Sequence, residues 1–127
     1  QLQISNWYIA LFSGNVNPSS NWTASNFASV ASEITSSTEG YSETSRPQWV
    51  PNSTTPTLPT ISNSNSLATF SIVCSSSINI AGAALLSSPT KGGTTGVLLS
   101  AVRYNLPHTL SNGSSFQVQY DLTLQDV

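Results

Sequence analysis

Very few groups in this chain could do chemistry. The carboxylates are Glu33, Glu39, Glu43, Asp121 and Asp126, the single imidazole is His108, and the single thiol is Cys74. Acid–base catalysis needs such groups held together at tuned pKa values. Glu39 and Glu43 could form a glycosidase pair, but only if they faced each other across a cleft. Arg46 offers Glu43 a simpler partner, so the sequence predicts a local Glu43–Arg46 ion pair beside a bend at Pro47, adding little if partly exposed. A Ser-His-Asp relay would have to use His108, yet the chain has no G-x-S-x-G elbow. His108 follows Pro107 in what reads as a loop, where an exposed or hydrogen-bonded role is expected. Zinc takes three or four His, Cys or acidic ligands, and one His with one Cys falls short. Cys74 has no partner for an internal disulfide, and it ends the run Ala68–Cys74. There a small buried apolar role is expected, with a reactive thiol as the alternative. The reading is of a protein that is not an enzyme, with no metal and no cofactor.

Composition narrows the partners. Arg46, Lys91 and Arg103 are the only basic residues apart from His108, and the net charge is −2. Neutralising several phosphates needs a cluster of Lys and Arg, so no nucleic-acid partner is expected. A polybasic membrane contact fails for the same reason, and no apolar run approaches the length of a bilayer span. Charged residues are 6% of the 127, while aromatics reach 9% and Ile/Val-rich runs recur, which argues for a folded domain wetted by hydroxyls and amides. The N-x-S/T matches at Asn21, Asn52 and Asn112 are what chance gives in so Asn/Ser/Thr-rich a chain. Trp7 lies in an apolar run and is assigned to the core. Trp22 and Trp49 flank loops and are candidates for exposure, as sugar platforms or protein anchors. The chain has no Met, and Gln1 is too large to follow a routinely removed initiator, so encoded residues before Gln1 are expected.

The patterning is that of an all-β protein. From Ser115 to Gln125, Phe116, Val118, Tyr120, Leu122 and Leu124 alternate with polar residues, the period of a half-buried strand, preceded by an Asn112-Gly113 turn. Trp7 to Phe12 is apolar throughout, as in a central strand covered on both faces. Further strands are expected over Ala68–Cys74, from Ile78 through Gly82 to Leu86 with a bulge at the glycine, over Val97–Tyr104, and over Tyr41–Val50 with Pro47 at an edge or bulge. Phe27, Val30, Ala31 and Ile34 suggest one short helix within 23–34, with Thr23 as N-cap. Pro51, Pro56 and Pro59 make 51–66 a long extended loop. The expected architecture is a single domain over 1–127, an antiparallel β-sandwich or jelly roll.

Several of these segments, in this order, resemble a group of small structural proteins of tailed phages. Tyr8-Ile9-Ala10-Leu11-Phe12 is similar to their "Y-I-A-L-F" opening strand. Glu33 to Thr35 with Tyr41-Ser42-Glu43-Thr44-Ser45-Arg46-Pro47-Gln48-Trp49 is similar to their "E-x-T…Y-x-E-x-x-R-P-x-W" segment. Ala81 to Ser88 followed by Lys91-Gly92-Gly93 to Leu98 is similar to their paired strands and Gly-rich loop. Members are described as tail-fibre-like, and some as head decoration, or cement, proteins of short-tailed phages. The resemblance implies a β-sandwich or jelly roll on the outer surface of the virion's capsid, holding together subunits of the major capsid protein. It also implies self-association as a dimer or trimer and no enzyme activity. The alternative is a tail or receptor-binding component that recognises glycans. Contacts would be expected from Arg46, Pro47, Gln48 and Trp49, from the chain start at Gln1, and from the loop carrying Pro51, Pro56 and Pro59, since long irregular loops often bind. A competing expectation is that Arg46 to Trp49 only closes the sandwich.

Overall fold

A computed structural model describes residues 6–51 and 60–123. Its strands are β1 (Trp7–Phe12), β2 (Gly40–Tyr41), β3 (Gln48–Trp49), β4 (Thr60–Ile61), β5 (Ala68–Val73), β6 (Ser77–Leu86), β7 (Leu98–Ser111), β8 (Ser115–Val118) and β9 (Leu122–Thr123), with one helical turn, α1 (Phe27–Val30). They form a four-stranded sheet β3-β1-β6-β7, a three-stranded sheet β2-β5-β8 and a two-stranded ladder β4-β9. All pairings are antiparallel, and the fold is a β-sandwich.

The apolar pattern of β1 explains the layering. Ile9 and Leu11 point into the core between the sheets, with Ile80, Ala83 and Leu85 of β6 and Ala68, Phe70 and Ile72 of β5. Ala10 and Phe12 point the other way, with Ala81, Ala84 and Leu86 of β6, and are covered by Ala24, Phe27 and Ala31. The second core is closed by edge-to-face rings, Phe12–Trp22 at 5.7 Å and Phe12–Phe27 at 6.0 Å. The helical segment thus forms a third layer on the outer face of the four-stranded sheet. Trp22 is half-buried beneath it and not free as a platform. Its turn begins with reciprocal bonds between Thr23 and Asn26, although Asn26, not Thr23, is the N-cap of α1.

The bulge expected at Gly82 is present. The β6–β7 register shifts between Ile80 and Gly82, and this shift lets both Ile80 and Ala83, three apart, face the inter-sheet core. β7 runs further than the sequence suggests, through Pro107 and His108 to Ser111. As the outer strand it does not need the N–H that Pro107 lacks.

Three other expectations are corrected. The strand expected over Tyr41–Val50 is two short strands in different sheets, β2 and β3, separated by the chain around Arg46. The run 115–125 is interrupted at Gln119–Asp121, where the chain passes from β5 to pair with β4. Leu124 and Gln125 lie outside the described residues. Within the expected loop 51–66, residues 52–59 are also outside them, and Thr60–Ile61 is a strand. Tyr120 stands at the crossing. Its backbone N–H donates to Asn63 Oδ1 (2.7 Å), its carbonyl accepts from Trp49 Nε1 (2.8 Å), and its hydroxyl bonds Ser100 Oγ (2.8 Å).

Candidate functional site

The residues singled out around Arg46 converge on one buried polar knot. After α1, Ser32 adopts a left-handed backbone (φ 57°), which turns the chain so that Glu33 bridges to Phe12 of β1. The Glu33 carboxylate receives both arms of the Arg46 guanidinium, Nε to Oε2 at 2.8 Å and Nη2 to Oε1 at 2.7 Å. Gly92 N–H also donates to Glu33 Oε1 at 3.1 Å. Arg46 Nη1 donates to the Ser88 carbonyl at 2.9 Å, and the Arg46 backbone N–H to the Pro89 carbonyl at 2.8 Å. Both charged side chains are fully buried. The planar fork suits a carboxylate in two parallel bonds, and the additional partners offset the desolvation of both ions. Gly92 has φ 71°, a backbone that a glycine adopts without a Cβ penalty.

Lys91 completes the knot, with its Nζ 3.9 Å from the Tyr41 ring centre and donating to the Tyr41 carbonyl at 2.8 Å. The Tyr41 hydroxyl is buried and, among the described residues, has no hydrogen-bond partner. Burial raises its pKa well above the usual phenol range, and the Glu33 charge adds to this. Tyr41→Phe removes an unbonded buried hydroxyl and keeps the ring under Lys91. It is therefore expected to leave stability unchanged or raise it by up to about 1 kcal/mol, as read from the midpoint of urea unfolding.

The local pair expected between Glu43 and Arg46 does not form. Glu43 accepts from Ser71 instead, at 2.9 Å from its N–H and 2.8 Å from its hydroxyl. Burial pushes the Glu43 pKa up, but the Ser71 bonds and the nearby Lys91 charge outweigh it and hold it below the usual carboxylate value. Glu39 accepts from the Ser75 N–H at 3.0 Å. These two carboxylates tie β5 and its exit to the 39–43 segment.

The candidate contact residues are divided by burial. Arg46 and Trp49 are inside the molecule, 1% and 5% exposed, so neither is a surface contact in this fold; Arg46 closes the knot and Trp49 joins β3 to Tyr120. Pro47 is half-buried, and its carbonyl accepts from Ile9 N–H at 2.8 Å. Gln48 and Pro51 are exposed, and Gln48 Nε2 donates to Asn6 Oδ1 at 3.1 Å. Gln1, Pro56 and Pro59 lie outside the described residues. Cys74 is buried, as expected.

The sequence reading missed a second feature, the outer edge of β7. His108, expected in a loop, is exposed on this strand and packs with Tyr104 at 4.9 Å and Phe116 at 5.5 Å. Leu99, Val102 and Leu106 are exposed on the same strand. Bulges break the two-residue period of this strand, and the spacing of three and four residues that remains is that of a helix face, so periodicity gave no strand signal; only the concentration of large apolar residues could have. Among the described residues no three of His, Cys, Asp and Glu gather as metal ligands. What fold and site define together is an antiparallel β-sandwich locked by an internal Glu–Arg knot. No family model, curated protein or solved structure matches the chain.

Proposed function

We propose that this protein is a binding module and not an enzyme: a head decoration protein on the outer surface of a phage capsid, where it holds neighbouring major capsid protein subunits together. The observation that carries the reading is the placement of the residues behind the phage resemblance. Glu33, Arg46 and Trp49 are buried in internal bonds, and Tyr41, Glu43 and Lys91 are tied to the same frame. A motif made of framework residues leaves function to the surface. That surface is rich in hydroxyl, amide and aliphatic groups and poor in charge, which suits adhesion that salt screens little.

The energetics favour such a role. Packaged genome pushes shell subunits apart, and a module that binds only the assembled lattice stabilises it by mass action. Repetition over the shell raises the effective concentration of each attachment. Purified particles are expected to carry this chain in copy number comparable to the shell subunit, read from a stained gel. Particles lacking it should break at lower temperature. A few copies per particle would move the protein to the tail and overturn the proposal.

A further inference from the structure

The turn that joins β7 to β8 carries Asn112-Gly113, the only Asn-Gly pair in the sequence. Asparagine before glycine is the pair most open to self-modification, because no Cβ shields the glycine nitrogen. That nitrogen attacks the asparagine Cγ. The N–Cγ bond forms, the Cγ–Nδ2 bond breaks, and the glycine amide proton leaves with the side-chain nitrogen as ammonia. Water then opens the cyclic imide at either carbonyl. The product is aspartate, or isoaspartate with the main chain routed through the former side chain.

Nothing steric protects this pair. Both residues are exposed, and beyond its chain neighbours nothing lies within 4 Å of a Cβ placed on Gly113. Protection comes from hydrogen bonds to the end of β5. The Gly113 N–H, whose proton the reaction must remove, donates to the carbonyl of the buried Ile72 at 2.9 Å. The Ile72 N–H donates in turn to the Ser114 carbonyl at 2.8 Å. Asn112 Oδ1 accepts from the Cys74 N–H at 3.1 Å, which fixes the direction of the side chain. The Gly113 bond decides, since a donor on Oδ1 alone would favour the attack by taking up the charge that develops there.

We infer that Asn112-Gly113 is a self-modification site that the fold holds shut, so that deamidation marks only chains whose β7–β8 turn has come away from β5. Each of the three bonds favours the closed turn by roughly a factor of two to ten. Together they slow the reaction by about a hundredfold. The consequence of an opening is permanent. Ser111 pairs with Ser77 in one sheet and Ser115 with Ser71 in the other, so the turn is a joint between the sheets. Isoaspartate lengthens the main chain at that joint by a methylene. The Gly113 N–H then no longer meets the Ile72 carbonyl while both ladders keep their register.

The inference concerns the isolated chain and stands apart from the decoration reading. The intact protein is incubated at mildly alkaline pH, folded in buffer and unfolded in urea, and Asn112 is followed by peptide mass spectrometry. In urea Asn112 should lose its amide faster than Asn63 or Asn65, which precede serine. Gly113→Ala should remove that difference. In buffer the loss should be about a hundredfold slower than in urea. The Gly113 amide proton should be protected from exchange with deuterium by a similar factor. Asn112→Asp keeps an acceptor for the Cys74 N–H and should unfold at the wild-type urea midpoint, whereas the purified isoaspartate form should unfold earlier. Equal loss in buffer and in urea overturns the inference. So does an unprotected Gly113 amide, and so does an isoaspartate form as stable as the starting protein.

Discussion

Arg46→Met is expected to cost about 3–5 kcal/mol, because it leaves the Glu33 carboxylate buried without its counter-ion. Native domains are stable by only about 5–15 kcal/mol, so the variant should be marginal near body temperature. Two further acceptors, the Ser88 and Pro89 carbonyls, belong to the same segment as Gly92, and the Ser88 bond goes with the guanidinium. The loss should therefore spread from the 33–46 segment to the 88–93 turn. A second substitution separates this account from simple loss of packing. Glu33→Leu alone should be strongly destabilising, whereas combined with Arg46→Met it should recover a large part of the loss, since an apolar pair needs no desolvation. Urea unfolding of the two single variants and the double variant measures the coupling. Strictly additive losses would mean that the ion pair does not act as a unit.

Gly82→Ala should be nearly as damaging, by about 3 kcal/mol. A Cβ there would stand 2.2 Å from the Val102 carbonyl oxygen and 2.3 Å from the tip of the Phe12 ring. The ring could tilt if Trp22 and Phe27 shifted with it, but the carbonyl belongs to β7, whose Val102 pairs with Ala83. The two strands would have to part at the bulge. Gly113→Ala is the matched comparison. Its φ is 88° and nothing lies within 4 Å of an added Cβ, so only the left-handed backbone penalty of about 1–2 kcal/mol remains. Thermal unfolding should place the Gly82 variant about 10 °C below wild type, with the Gly113 variant between them. Equal shifts would refute the steric account.

The parts of the fold that sequence made legible are those where a side-chain pattern reports burial directly. Trp7–Phe12 is apolar on both faces, and β1 is indeed covered by an apolar layer on each. Gly82 interrupts a good strand and marks a bulge. The same logic explains the error at 115–125. Phe116, Val118, Tyr120 and Leu122 keep facing one core while the chain changes hydrogen-bond partners, and alternation records the face, not the neighbour. Pro107 misled because a proline excludes only a bonded N–H, and an outer strand has positions that need none. The knot was legible as a set of residues but not as a geometry. Sequence proximity proposed Glu43 for Arg46, whereas the partner is Glu33, brought close by its bridge to β1. Trp49 beside a loop suggested exposure, yet its indole N–H is used inside. Burial of polar groups is decided by distant partners, which no local window contains.

The crossing at Tyr120 has a mechanical consequence. One residue is fastened by its amide, its carbonyl and its ring hydroxyl to Asn63, Trp49 and Ser100, which sit on separate parts of the sandwich. Tension drawn along the closing strands therefore loads three anchor points in shear at once, where a plain hairpin would unzip one rung after another. A body so fastened should resist pulling up to a single threshold and then yield all together.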